Sequence, residues 1–135
     1  MTNCARINAL ISFSFFLLLN PIIAEEENSE KACFRVGDIS GWLALGDQRL
    51  IVWSPSKSHP FLVTLFNRCP NLRFEDTLIF KSTLWRTCSN YNDQIYTEVM
   101  RCSIKNIQAL DKDQADILIQ EYRNQKIQDH KEDTN

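Results

Sequence analysis

The sequence predicts a mainly β fold: a small antiparallel sheet or barrel of about six short strands, stapled by disulfides, with one C-terminal amphipathic helix. Three observations indicate this fold class. Short β-branched and aromatic runs alternate with turn residues, four cysteines are spread along the chain behind an apolar N-terminus, and the apolar spacing becomes helical after Ala109. Together they predict one small cross-linked domain.

Residues 1–24 have the organisation of a signal peptide. Arg6 gives a positive start, residues 9–19 form the apolar stretch, and Pro21 follows it. This pattern predicts cleavage before Glu25 and a periplasmic or extracellular protein. The apolar stretch is about half of the roughly 20 residues that a spanning helix needs, so we expect no stable membrane span after cleavage. An uncleaved anchor is the alternative.

The chain behind the signal peptide has a suitable length for one domain with one core. We expect an acidic disordered leader over 25–31, the stapled β domain with its helix over 32–127, and a polar tail over 128–135. Formal charge is −3 over 25–31, +3 over 32–109 (nine bases, six acids) and −3 over 110–135. Solvated acidic ends that keep the protein soluble explain this distribution better than a shielded binding face.

The strand candidates are short apolar runs bounded by turn residues. Two prolines mark 54–60 as a loop, and the apolar runs on either side of it predict a hairpin. Residues 82–88 fit either a turn or a short helix, and Ile95 is expected on the core side. In chain order the strand candidates are 32–36, 49–53, 61–66, 77–81, 94–99 and 100–107, and the run 39–45 is left without an assignment.

The C-terminal helix has a clear start signal. Asp111 or Asp113 is a suitable N-cap, because its carboxylate can accept from the unpaired amides of the first turn. We expect the helix to run to about Lys126 and to dock on the sheet through one apolar stripe; docking on a partner protein is the alternative. The stripe consists of Ala115, Leu118, Ile119 and Tyr122.

Four cysteines remain behind the signal peptide: Cys33, Cys69, Cys88 and Cys102. An even number in a small exported chain indicates disulfides, and no pair has the Cys-x-x-Cys spacing of a zinc or redox site. Free or metal-binding thiols are the alternative. Of the three possible pairings we favour Cys69–Cys88 with Cys33–Cys102, because the second bond would tie the first strand to the last.

The titratable residues form no recognisable catalytic set, so we expect no enzyme, no metal site and no cofactor. The two histidines are His59, in an exposed loop, and His130, in the polar tail. The acidic pair 75–76 would point to opposite faces of an extended chain, which does not suit a pair of catalytic carboxylates. We expect Arg68 or Arg73 to pair with one of these two acids.

Aromatic and basic residues are interleaved from Arg49 to Arg86 and could form a stacking surface for sugars or single-stranded nucleic acid. We favour the core for most of these aromatic residues, because a domain of this size needs them there. We also expect no nucleic-acid partner for an exported chain. Trp42 and Trp85, each beside polar residues, are the candidates for exposed aromatics.

The cysteine order resembles that of a known family. The pattern covers roughly 32–110 and resembles small exported bacterial proteins of unknown function. The resemblance implies export and a small cysteine-stapled domain, and it implies no activity and no site residue. Its elements here are Cys33, Cys69-Pro70-x-Leu72, Leu84-x-x-x-Cys88, Asp93, Ile95 and Cys102-x-Ile104.

Three functional hypotheses follow from these observations. The first is an exported non-enzymatic domain that binds an envelope component or a protein partner. The alternative is a small proteinaceous inhibitor of a secreted hydrolase, in which 54–60 would be the rigid inhibitory loop. A hydrolase of unrecognised type is a third hypothesis.

Overall fold

A computed structural model describes residues 32–89 and 93–132. Within these ranges the chain forms eight strands and one α-helix, with short 3-10 turns at Val36–Asp38 and Leu72–Phe74. The elements are β1 (Cys33–Arg35), β2 (Gly41–Ala44), β3 (Arg49–Trp53), β4 (Pro60–Leu65), β5 (Ile79–Lys81), β6 (Arg86–Cys88), β7 (Gln94–Tyr96), β8 (Arg101–Ala109) and α1 (Lys112–Glu132). The predicted signal peptide and the predicted acidic leader lie outside the described residues.

Six strands form an open antiparallel half-barrel in the order β2-β3-β4-β8-β7-β5. The other two strands, β1 and β6, form a separate antiparallel ribbon, in which Cys33 lies opposite Cys88. The predicted mainly β, disulfide-stapled fold with one C-terminal helix is therefore confirmed. The predicted hairpin around 54–60 is confirmed too, since Trp53 pairs with Pro60 across β3 and β4.

Alternating side chains give the sheet two apolar faces, as the period of an extended strand requires. In β3, Leu50 and Val52 belong to the main core, whereas Ile51 faces the other way. The main core also takes in Phe34 from the ribbon, and the predicted core position of Ile95 is confirmed, since its side chain is fully buried. The ribbon therefore covers one face of the half-barrel.

Helix α1 covers the second face. Ala115 is buried, and the predicted stripe that it starts packs beside Ile51 and Leu62. The N-cap is Asp111: its Oδ1 accepts from Gln114 N at 2.7 Å, and Gln114 Oε1 accepts from Asp111 N at 3.0 Å, a reciprocal capping box. The helix continues to Glu132, beyond the predicted end near Lys126.

The four cysteines behind the predicted signal peptide all form disulfides, but the favoured pairing was wrong. The bonds are Cys33–Cys88, with a Cα–Cα distance of 4.3 Å, and Cys69–Cys102, at 5.9 Å. The reason is strand pairing: β6 leaves the half-barrel to pair with β1, which places Cys88 directly opposite Cys33. Cys102, on β8, points into the main core, where it meets the buried Cys69.

The segment 82–88 is neither the turn nor the short helix that the sequence allowed. Residues 83–85 are a bend, and 86–88 are strand β6. This bend carries the chain from the half-barrel to the ribbon, and it shapes the most distinctive part of the surface.

Candidate binding site

The bend before β6 presents two large apolar side chains to solvent. Leu84 is 66% exposed and Trp85 is 89% exposed. Trp85 also has a φ of 64°, in the left-handed region that favours glycine. Trp85 was predicted to lie at the surface, and it does. We call the Leu84–Trp85 pair the ribbon tip.

A backbone hydrogen bond and a disulfide hold the backbone of the ribbon tip in place. Val36 N, directly after β1, donates to Trp85 O at 3.2 Å. Three residues further along the ribbon, the Cys33–Cys88 disulfide joins the two strands covalently. Because both strands are held at both ends, the side chain of Trp85 projects from an ordered backbone.

Two polar residues after β6 attach the ribbon to the half-barrel. Ser89 Oγ donates to Ile107 O at 2.9 Å and accepts from Ile107 N at 2.8 Å, so one hydroxyl satisfies both backbone groups of a β8 residue. The carboxylate of Asp93, itself buried, accepts from Cys88 N at 2.9 Å. The position of the ribbon tip is thereby tied to the main sheet.

Two arginines face each other directly behind the ribbon tip. Arg35 on β1 is in register with Arg86 on β6, and both are exposed. Like charges directly opposite each other across antiparallel strands destabilise the pair. In the described part of the chain, neither guanidinium forms an ion pair, whereas two other arginines pair with Asp47.

Three concavities surround the ribbon tip. The largest, of 480 Å³, is lined by both arginines, by Val36 and by the two side chains of the tip. A second, of 370 Å³, lies between Trp85 and Lys81, and a third, of 280 Å³, lies under Leu84 beside the Cys33–Cys88 bond. Apolar walls and convergent cations suit an anionic group that carries apolar atoms.

Trp42, the other candidate for an exposed aromatic, is half-buried. It packs against the main core and lines a different groove of 530 Å³, between β2 and α1. Arg73 lies in the wall of this groove, where a hydrogen bond to Tyr122, reinforced by Asp47, raises the pKa of its guanidinium above the usual value. Trp42 and Trp85 therefore line separate concavities.

The expected ion pair of Arg68 or Arg73 with the acids 75–76 is not the one observed. Both arginines approach Asp47 instead, at 4.0 Å and 3.5 Å. Glu75 accepts from the backbone amide of Glu98 at 3.4 Å. Asp47 takes the arginines because the turn between β2 and β3 also binds the Cys69 amide, at 2.7 Å, and so holds this carboxylate beside them.

The two histidines lie on different elements of the fold. His59 contacts Ser56 Oγ at 3.2 Å within the loop 54–60, while His130 lies on α1 rather than in a frayed tail. Among the residues that the structure describes, no three His, Cys, Asp or Glu side chains come close enough to hold a metal ion.

Sequence reasoning missed Leu84 and the Arg35–Arg86 pair. A local signal for exposure existed, because each arginine is next to a buried residue on its strand, Phe34 or Thr87. Their juxtaposition depends on the pairing of β1 with β6, which local sequence does not encode. Phe66 (58% exposed) and Phe74 (75% exposed) belong to the stretch 49–86, for whose aromatic residues the core was mostly favoured, and they lie at the surface instead.

The fold and this surface define a disulfide-stapled half-barrel with an exposed apolar and cationic tip. The model of a family described as "Family of unknown function (DUF6491)" matches residues 18–126, and the chain belongs to that family. The predicted resemblance to a family of unknown function is confirmed at this level. Neither curated proteins nor solved structures gave a match to the chain.

Two properties bear on location. The two disulfides are consistent with folding in an oxidising compartment outside the cytoplasm. Within 32–89 and 93–132, no helix combines the length and apolarity needed to cross a membrane.

Proposed function

We propose that the protein is an exported, non-enzymatic domain that binds an anionic component of the bacterial cell envelope through the ribbon tip and the Arg35–Arg86 pair. The observation that carries this proposal is the conformation of Trp85: a bulky residue at a φ of 64° whose side chain is 89% exposed. A left-handed conformation costs a residue of this kind about 1–2 kcal/mol, and here no burial offsets that cost. Strain of this sort is typical of functional sites.

The facing arginines point to the charge of the ligand. Arg35 and Arg86 repel each other in the free protein, and an anion between them would remove that repulsion. Guanidinium groups bind phosphate and carboxylate oxygens through paired hydrogen bonds. Arg35, Arg86 and Trp85 line the same 480 Å³ concavity, so one ligand can contact all three.

Export supports an envelope ligand. The predicted signal peptide and the two disulfides both favour a chain that folds in the periplasm or outside the cell. N-terminal sequencing of protein isolated from the cell should give Glu25 as its first residue. A start at Met1 would contradict cleavage.

Binding to isolated envelope fragments tests the proposal. We expect the wild-type protein to sediment with the fragments, and Trp85→Ser and the double variant Arg35→Gln/Arg86→Gln each to weaken binding by about tenfold or more. Phe74→Ser is the matched control, since Phe74 is also strongly exposed but belongs to the 3-10 turn at Leu72–Phe74. Unchanged binding of both tip variants would overturn the proposal.

The loop 54–60 supports a second candidate, an inhibitor of a secreted hydrolase. Its backbone and side chains bond to one another: Ser54 N donates to His59 O at 3.1 Å, His59 N donates to Ser56 O at 2.9 Å, and Ser56 Oγ lies 2.9 Å from Ser58 Oγ. A loop braced in this way is pre-organised, as inhibitory loops require. An inhibitor should co-purify with an enzyme in equimolar amount and lose it on His59→Ala, a change that leaves envelope binding through Trp85 intact.

A further inference from the structure

We infer that the anionic component is the phosphate-bearing surface of a lipid bilayer, into which Leu84 and Trp85 insert. This inference rests on the proposed function and names its ligand class. The occupant follows from three properties of the ribbon tip: its polarity profile, its net charge and the exposure of its two apolar side chains.

The polarity profile of the ribbon matches that of a bilayer leaflet. Antiparallel pairing places the end of β1 and the start of β6 at the same end of the ribbon, as the bond from Val36 N to Trp85 O shows. The exposed apolar pair Leu84–Trp85 lies at this end, and Arg86, opposite Arg35, follows one or two residues along the chain, or roughly 3–7 Å at the rise of an extended chain. Interfacial segments bury apolar groups about 5–10 Å deep while their cations stay at the headgroups.

The charge around the ribbon tip favours an anionic surface. Arg35, Arg86 and Lys81 are exposed cations that line the surrounding concavities, and Asp38 is the exposed acid among the same lining residues. Three cations and one acid give a local net charge of +2 (3 − 1). Anionic headgroups attract exposed Lys and Arg side chains near a membrane surface.

The strong exposure of both apolar side chains of the ribbon tip favours a bilayer over other anionic ligands. A protein partner would need a preformed pocket for an indole that is 89% exposed. A sugar polymer could stack on the ring of Trp85 but would leave Leu84, 66% exposed, in water. A fluid interface closes around both side chains, and Trp is a residue enriched at membrane interfaces.

Vesicle binding tests the inference directly. The native, processed protein is sedimented with vesicles of mixed phosphatidylglycerol and phosphatidylethanolamine, and with vesicles of phosphatidylcholine alone. We expect binding to the anionic vesicles to be stronger by about tenfold or more, and this preference to disappear at about 0.5 M NaCl, where the charges are screened. Brominated lipids should quench the fluorescence of the wild-type protein but not that of Trp85→Phe.

The variants separate the two contributions to vesicle binding. Trp85→Ser and Leu84→Ser should weaken binding to both kinds of vesicle, because they remove apolar insertion. Arg35→Gln/Arg86→Gln should remove only the preference for anionic vesicles. Phe74→Ser should bind like the wild type.

The outcomes distinguish failure of this inference from failure of the proposed function. If tip variants lose envelope fragments but the wild type ignores anionic vesicles, the bilayer is not the ligand and the proposed function stands. Full competition by inorganic phosphate, or retention of binding on delipidated fragments, would likewise overturn the inference. If envelope binding is insensitive to Trp85→Ser, both proposals fail.

Discussion

Trp85 has a left-handed backbone conformation that glycine and asparagine adopt more easily than tryptophan does. We predict that Trp85→Asn raises the free energy of unfolding by about 0.5–1 kcal/mol, because Asn tolerates this conformation and no packing is lost. Urea denaturation measures the change, and Trp85→Ala, which keeps the strained Cβ, should stay near the wild type. A less stable Trp85→Asn variant would show that Trp85 is retained for structure rather than for binding.

Thr87, two residues beyond the exposed Trp85, is a polar residue in a buried position. Its side chain is fully buried, and its Oγ1 has no hydrogen-bond partner among the described residues. A buried hydroxyl without a partner costs about 1–3 kcal/mol, so Thr87→Val should stabilise the protein by about 1 kcal/mol at nearly constant volume. Thermal unfolding monitored by circular dichroism can measure this, with the exposed Thr83→Val as a control that changes little. A lower melting temperature for Thr87→Val would mean that the hydroxyl is satisfied.

Among the elements, the ribbon depends on a few polar contacts with the half-barrel. Asp93→Ala should lower the free energy of unfolding by about 1–3 kcal/mol, because it leaves the partly buried Cys88 amide without its acceptor. Asp93→Asn keeps an oxygen in place and should cost less. Hydrogen exchange at the Cys88 amide reports the effect locally, and unchanged protection in Asp93→Ala would contradict this role.

Local patterns predicted the elements better than they predicted their partners. The run 49–53 coincides with β3, because an apolar, β-branched run between turns is a local signal. The helical stripe from Ala115 to Tyr122 was found in the same way. The strand β6 was missed because its apolar residues are few and it is ordered by pairing with β1, which is more than 50 residues away in sequence, as the separation of 55 between Cys33 and Cys88 shows.

At the scale of the whole molecule, the two disulfides have separable roles. In the chain-entropy model, closing loops of 55 and 33 residues stabilises the fold by about 4 kcal/mol each. We predict that Cys69→Ala/Cys102→Ala mainly lowers global stability, since both side chains are buried in the main core. Cys33→Ala/Cys88→Ala should also weaken binding to envelope fragments, because it removes the covalent link between the two strands of the ribbon.

Chemical denaturation and envelope sedimentation measure these two effects side by side. The expected pattern is a large loss of stability in both double variants, and in Cys33→Ala/Cys88→Ala an additional loss of binding that persists at temperatures where the variant is folded. Full binding by folded Cys33→Ala/Cys88→Ala would show that hydrogen bonds alone hold the ribbon tip.

The candidate site was less predictable than the fold. Trp85 was found from its polar neighbours alone, and that signal also selected Trp42, which is half-buried. The arginine pair could not be predicted from local sequence, because it exists only where two three-residue strands pair outside the main sheet. The pairing of the cysteines failed for the same reason: it follows from non-local strand pairing.

The order of the cysteines in the two bonds bears on how the chain matures. Cys33 bonds to Cys88 across the position of Cys69, and Cys69 bonds to Cys102, so the two closed loops interleave. A chain that emerges N-terminus first exposes Cys33 and Cys69 before Cys88, and oxidation at that moment would join the wrong pair. Correct maturation therefore requires that oxidation wait for Cys88 or that thiol–disulfide exchange rearrange an early bond. The yield of the native protein should thus depend on the disulfide-exchange catalysts of the compartment in which it folds.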